Sequence, residues 1–242
     1  MKKNIYLIIV ICFGGFLASC ATAPPLPPPP PVAPGPRVAV HHTVAPGETL
    51  WRIGKMYDVP VEKIIEANKI DNPSQLKMGQ VLVIPGAASV RPVVTLYPSK
   101  KWKYIIIHHS ATEEGNSLAF HMSHKGKGWD SIGYHFVIDN GSSSKKDGQI
   151  ETTPRWLKQL DGAHCKAGNM NTKAIGICLV GNFDKERVTT KQMESLVYLV
   201  TTLKRYYRIP SRNILRHGEV RGATTHCPGK KFPWSAFKRQ VR

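Results

Sequence analysis

Acidic side chains are scarce in this chain, with 16 Asp and Glu against 34 Lys and Arg over 242 residues and a formal net charge of +18. Such a surface wants an anionic partner: nucleic acid, a polyanionic cell wall or a peptide with free carboxylates. A second lack removes the first of these, because no basic stripe interleaved with aromatics and no base-reading motif is present. Cysteine is also sparse. Cys12 and Cys20 fall in the N-terminal segment, and Cys165, Cys178 and Cys227 are left as an odd set, so no disulfide framework is built. The apolar run Ile5–Phe16 is too short for the ~20 residues that span a bilayer as a helix. The His-Glu-x-x-His helix of one zinc peptidase class is missing as well, which disfavours that chemistry.

What is present is ordered along the chain. Lys2 and Lys3 precede the apolar run, and small residues lead to Cys20, the layout of a cleaved export signal over residues 1–19. Leu-Ala-Ser-Cys resembles a bacterial lipobox, which implies lipid attachment at Cys20. The following Ala21 resembles an outer-membrane address facing the periplasm. The alternative is an ordinary signal peptide. Residues 20–41 hold close to half of the 19 prolines and read as an extended polyproline spacer.

Residues 42–86 are charge-balanced and predict strand, helix, helix, strand. The first strand lies at Thr43-Val44 and the last over Val81–Ile84. The run Val-Ala-Pro-Gly-Glu-Thr-Leu-Trp-Arg-Ile, the pair Ala67-Asn68 and the segment Val-Leu-Val-Ile-Pro resemble a LysM module. That resemblance implies binding of N-acetylglucosamine-containing glycan. The implied groove lies between the Gly47-Glu48-Thr49 turn and the Ile70–Asn72 loop. Residues 87–100 have no clear period and read as a second linker.

Residues 101–242 carry most of the excess charge, 24 basic against 11 acidic side chains. Trp102–Ile107 is an apolar strand of the doubly covered kind. Further strands are predicted at Tyr134–Ile138 and Ala174–Val180, with helices over Leu118–His124 and Gln192–Tyr206. The expected class is α/β, a mixed central sheet flanked by helices. His108 ends the first strand, and His217 and Cys227 lie far downstream in loops. Two nitrogens and one sulfur leave a tetrahedral position open, the donor count of catalytic rather than structural zinc.

Six blocks occur in order: Ile-Ile-Ile-His-His-Ser-Ala-Thr, Gly-Trp-Asp-Ser-Ile-Gly-Tyr-His-Phe-Val-Ile, Gly-Ala-His, Ile-Gly-Ile-Cys-Leu-Val-Gly-Asn-Phe, His-Gly-Glu-Val and Cys-Pro-Gly. They resemble the type-2 N-acetylmuramoyl-L-alanine amidases and the peptidoglycan recognition proteins. The resemblance implies Zn2+ on His108, His217 and Cys227, with Tyr134 and Thr225 as catalytic groups. It implies peptidoglycan as partner. Gly128 and Trp129 match a pair that goes with meso-diaminopimelate stems, and His164 is expected to touch substrate. His109 and His135 should face away from the metal, and His121 and His124 should lie on the surface. Cys178 reads as an ordinary buried thiol, and Glu219 as a loop-orienting group. His217 and Cys227 are ten apart where phage-type members have eight, so the Arg221–Thr225 loop is expected to be remodelled. The alternative function is a peptidoglycan-binding lipoprotein without catalysis.

Overall fold

A computed structural model describes residues 36–242. The export signal, Cys20 and most of the proline-rich stretch lie outside the described residues. The first module runs β1 (Val38–Thr43), α1 (Leu50–Tyr57), α2 (Val61–Asn68) and β2 (Val81–Ala87). β1 and β2 pair antiparallel. β1 begins inside the stretch read as linker, because Val38 and Val40 find partners on β2 that the polar spacing around His41 and His42 does not advertise. Leu50, Ile53, Ile64, Leu82 and Ile84 form the module's core. Asn68 pins β2 to α2, its amide reaching the carbonyls of Ile64 and Val83 at 2.8 and 2.7 Å.

The second module runs β3 (Tyr104–His109), α3 (Ser117–Gly126), β4 (Phe136–Asn140), β5 (Asp147–Thr152), α4 (Pro154–Leu157), α5 (Met170–Lys173), β6 (Ala174–Leu179), α6 (Thr190–Tyr207), β7 (Ile214–Arg216) and α7 (Trp234–Gln240). The strands lie in the order β5-β4-β6-β3-β7, all neighbours parallel except β4 and β5. This is the expected mixed sheet. Alternation divides its two faces. Ile105, Ile107, Ile175, Ile177 and Leu179 face α6 and α7, where Leu196, Leu199, Leu203 and Phe237 complete the main core. Ile106, Gly176, His108 and Cys178 share the other face, which keeps room for chemistry.

The stretch read as a second linker is a fitted strap. Ala88 and Arg91 donate to the carbonyls of Tyr57 and Met56 at 2.8 and 2.9 Å. The Arg52 guanidinium holds the Val93 carbonyl at 2.8 Å, and the Trp156 indole holds that of Thr95 at 2.8 Å. Val90 and Val93 pack on the first core, Val94 and Leu96 on the second. The modules also touch directly. Lys145 donates to the Thr43 carbonyl at 3.3 Å and pairs with Glu151 at 3.1 Å. Both of those side chains are almost fully buried.

Candidate metal centre and active site

His108 is placed by β3, and its ring lies on the open face of the sheet. His217 follows β7 directly, in a short 3-10 turn over His217–Glu219. Cys227 is brought back to the same point by the loop that follows. There Gly218 donates to the Cys227 carbonyl at 3.0 Å, and Ala223 to that of Val220 at 2.9 Å. The ten-residue spacing is thus absorbed within this folded loop. The His108 and His217 ring centroids are 4.6 Å apart, and Nδ1 of His108 lies 3.7 Å from the Cys227 Sγ. One ligand atom from each of the three falls within 4.8 Å of the others. A tetrahedral zinc with bonds of about 2.0–2.3 Å separates its ligands by about 3.3–3.8 Å, so small side-chain adjustments let all three share one ion.

Burial holds His108 well below its usual range, and His164 and His217 add to the effect. Burial lowers His217 too. Both imidazoles are therefore neutral near pH 7, with lone pairs to give. Burial pushes the Cys227 thiol up to about 12, opposed by the His109 amide, which donates to Sγ at 3.4 Å. Thr225 accepts from the Cys227 amide at 3.1 Å through its Oγ1, which leaves its own hydroxyl hydrogen to donate. Glu219 pairs with Arg216 at 3.0 Å and so braces the turn that carries His217.

The Tyr134 ring lies 5.3 Å from that of His108. Burial raises its phenol well above the ordinary value, with Cys178 and Cys227 contributing, so it remains an O–H donor. Thr153 anchors this segment by donating to the Tyr134 carbonyl at 2.7 Å. Trp129 is 41% exposed and packs at a tilt against His124, centroids 4.6 Å apart; His124 in turn lies 5.9 Å from Tyr134. Gly128 turns the chain into this wall with φ +82.

Several residues sit differently from expectation. His121 is buried, and His124 accepts from the Gly133 amide at 3.1 Å, so neither is a free surface group. Their helix packs on the sheet's open face, which its weak amphipathic pattern hides. Cys178 is the buried thiol expected; it is also in register with His108 and lies beside the Tyr134 hydroxyl, on the floor of the site. Its parity along β6 was the available signal. His164 is buried, with both ring nitrogens engaged: Nδ1 with His108 at 3.1 Å and Nε2 with the Ala174 carbonyl at 3.3 Å. It sits buried behind the His108 ring. His109 accepts from the Phe183 amide at 3.1 Å on the other face of β3, and His226 is exposed.

In the first module the candidate glycan residues carry structural duties. The Glu48 carboxylate takes hydrogen bonds from His42 and the Ala45 amide, both at 2.7 Å. Thr49 caps α1 and Asn72 caps the turn at Pro73–Gln75. Ile70 packs on the module's core. A methyl group on Gly47 would lie 3.0 Å from Leu157 of α4, so this turn rests against the second module. What those loops retain for a ligand is chiefly backbone.

Residues 98–230 match the family model described as N-acetylmuramoyl-L-alanine amidase, and residues 42–85 match the LysM domain. The endolysin of Escherichia phage T7 is 35% identical over 51% of this chain and 78% of its own length. Peptidoglycan-recognition protein SC2 of Drosophila melanogaster is 31% identical over 56% of this chain and 75% of its own. Among solved structures, the N-acetylmuramoyl-L-alanine amidase LysC of Clostridium intestinale aligns with TM-score 0.50 and 33% identity, covering 62% of this chain and 95% of that one.

Proposed function

The chain belongs to the N-acetylmuramoyl-L-alanine amidase family, and from that footing we propose that it hydrolyses the amide between the lactyl group of N-acetylmuramic acid and L-alanine in peptidoglycan, with Zn2+ on His108, His217 and Cys227. The convergence of three donors from β3, the β7 turn and the distal loop carries this reading. A zinc ion in such a site polarises a carbonyl and lowers the pKa of water toward ~7.

The chain's own groups supply the rest. Tyr134, a neutral phenol beside the ligand ring, donates to the carbonyl oxygen as charge gathers there. Thr225 offers a second hydroxyl donor from the Cys227 loop. Neither is cationic, so stabilisation at that oxygen comes from hydrogen bonds. Trp129 and Gly128 form a wall for the stem peptide, and basic side chains of the module receive its carboxylates, in keeping with a meso-diaminopimelate stem.

The LysM module holds N-acetylglucosamine-containing glycan through the 47–49 turn and the 70–72 loop. Residues 1–19 direct export, Cys20 carries lipid, and the protein faces the periplasm from the outer membrane. No nucleic acid is involved.

Digestion of purified sacculi, read by mass spectrometry, tests the catalytic claim. Wild type should release free stem peptides and unsubstituted glycan, and His217→Ala should release neither. Binding to sacculi without release by the zinc-loaded wild type would make the chain a recognition protein instead.

A further inference from the structure

The ring of His164 occupies a slot that two glycines create. A methyl group on Gly162 or on Gly176 would lie 2.3 Å from its Cδ2. His135 closes one side, its ring 5.6 Å away, and His108 the other at 5.0 Å. His135 is itself tied down, accepting from the Gly176 amide at 3.0 Å. The His164 ring therefore has little freedom to turn.

Its hydrogen-bond polarity follows from one fact: the Ala174 carbonyl can only accept. Nε2 of His164 must carry the hydrogen directed at that oxygen, 3.3 Å away. In a neutral imidazole this leaves Nδ1 as an acceptor. The opposite assignment would set two lone pairs against each other at Nε2. The group facing His164 Nδ1 is Nε2 of His108, at 3.1 Å, which must then donate. The remaining nitrogen of His108, Nδ1, is left bare, and it is the atom that points at the Cys227 sulfur.

We propose that His164 is a positioning residue for His108: its Nδ1, oriented by the Ala174 carbonyl and the Gly162–Gly176 slot, fixes the ring plane and tautomer in which His108 offers Nδ1 as a ligand. The chain Ala174 carbonyl, His164, His108 is a tautomer relay that ends at Nδ1 of His108, the atom that would hold the ion. This inference rests on the cluster being a zinc site. It replaces contact with substrate as the role of His164, and it accounts for the absence of a side chain at position 176 on a strand otherwise filled with apolar residues.

The test uses the full chain. A long-range 1H–15N spectrum of zinc-free wild type should show His108 with its hydrogen on Nε2. His164→Leu should weaken zinc binding, measured by chelator competition, roughly 10–100-fold. His164→Asn, whose Oδ1 stands near the place of Nδ1, should recover most of that loss. At saturating zinc the KM of His164→Leu should match wild type. A wild-type His108 protonated on Nδ1 would overturn the proposal, and so would a His164→Leu variant with unchanged zinc affinity and a raised KM. Should His164→Leu fail to fold, the wild-type tautomer still decides. Wild type that binds no zinc yet shows the Nε2–H tautomer would sink the zinc reading and with it the ligand-positioning role, leaving only the hydrogen-bond chain.

Discussion

The backbone amide of His109 points at the sulfur of Cys227, 3.4 Å away, although the two residues are 118 positions apart. One strand thus supplies the candidate ligand His108 and, from the position after it, a hydrogen bond to the sulfur of a second candidate, Cys227. Replacing Cys227 by Ala removes the donor that this amide serves. The expected outcome is loss of stoichiometric zinc after dialysis and stem-peptide release at background.

The same thiol sets the pH dependence of metal uptake. Burial disfavours the thiolate and pushes the thiol up to about 12. His108 and His217 are already neutral, since burial lowers both. Near or just below pH 7, where a bound water would keep its protons, binding should therefore release about one proton, from sulfur. Zinc affinity is expected to rise with pH, about tenfold per unit there and more steeply above, where that water would ionise as well. Calorimetry in buffers of different ionisation heat would count that proton, and a count near zero would contradict the assignment.

Tyr134→Phe removes the phenol O–H and keeps the ring against His108. Turnover should fall about 10²–10³-fold, the usual cost of one donor at a developing oxyanion. Zinc content and KM should change little. Loss of zinc instead would make Tyr134 a support for the ligands.

Lys145 gives a stability prediction. Its ammonium joins Glu151, on β5, to the Thr43 carbonyl of the first module. Lys145→Met strands a buried carboxylate and should cost about 3–5 kcal/mol. Adding Glu151→Gln should return most of it, since the partner is then neutral. Urea denaturation of wild type and the two variants measures this.

Asp139 is fully buried beside Glu151, and burial followed by the Glu151 charge raises its carboxyl well above the ordinary 3.8. The folded state therefore keeps a proton that the unfolded chain gives up, so its contribution is intact below the ordinary value and drains away as pH rises. Asp139→Asn mimics the protonated form. Its stability should equal wild type near pH 4 and exceed it by a growing margin toward pH 8. A gap independent of pH would contradict this.

The legible parts of the molecule were those written in short local patterns. The apolar strand at Ile105–Ile107 announces itself, and the three donors stand at the ends of recognisable motifs. β5 escaped because Asp147–Thr152 is mostly polar, and those polar groups are spent on buried pairings that no spacing reveals. β7 has only three residues, too few to show a period. The strap after β2 looked featureless because its apolar residues serve two different cores in turn. The role of His164 depends on the missing side chains at 162 and 176, distant in the chain and adjacent only once β6 is in place.

That strap has a consequence for how the enzyme would work along a polymer. Residues 88–96 are hydrogen-bonded to or packed on both cores, so the segment between the LysM module and the amidase-family module holds little slack. Capture of a strand by the first would set a constant offset to the bond that the second can reach. Products should then cluster at multiples of the strand's own repeat, where a freely jointed pair would leave a smooth spread of sizes.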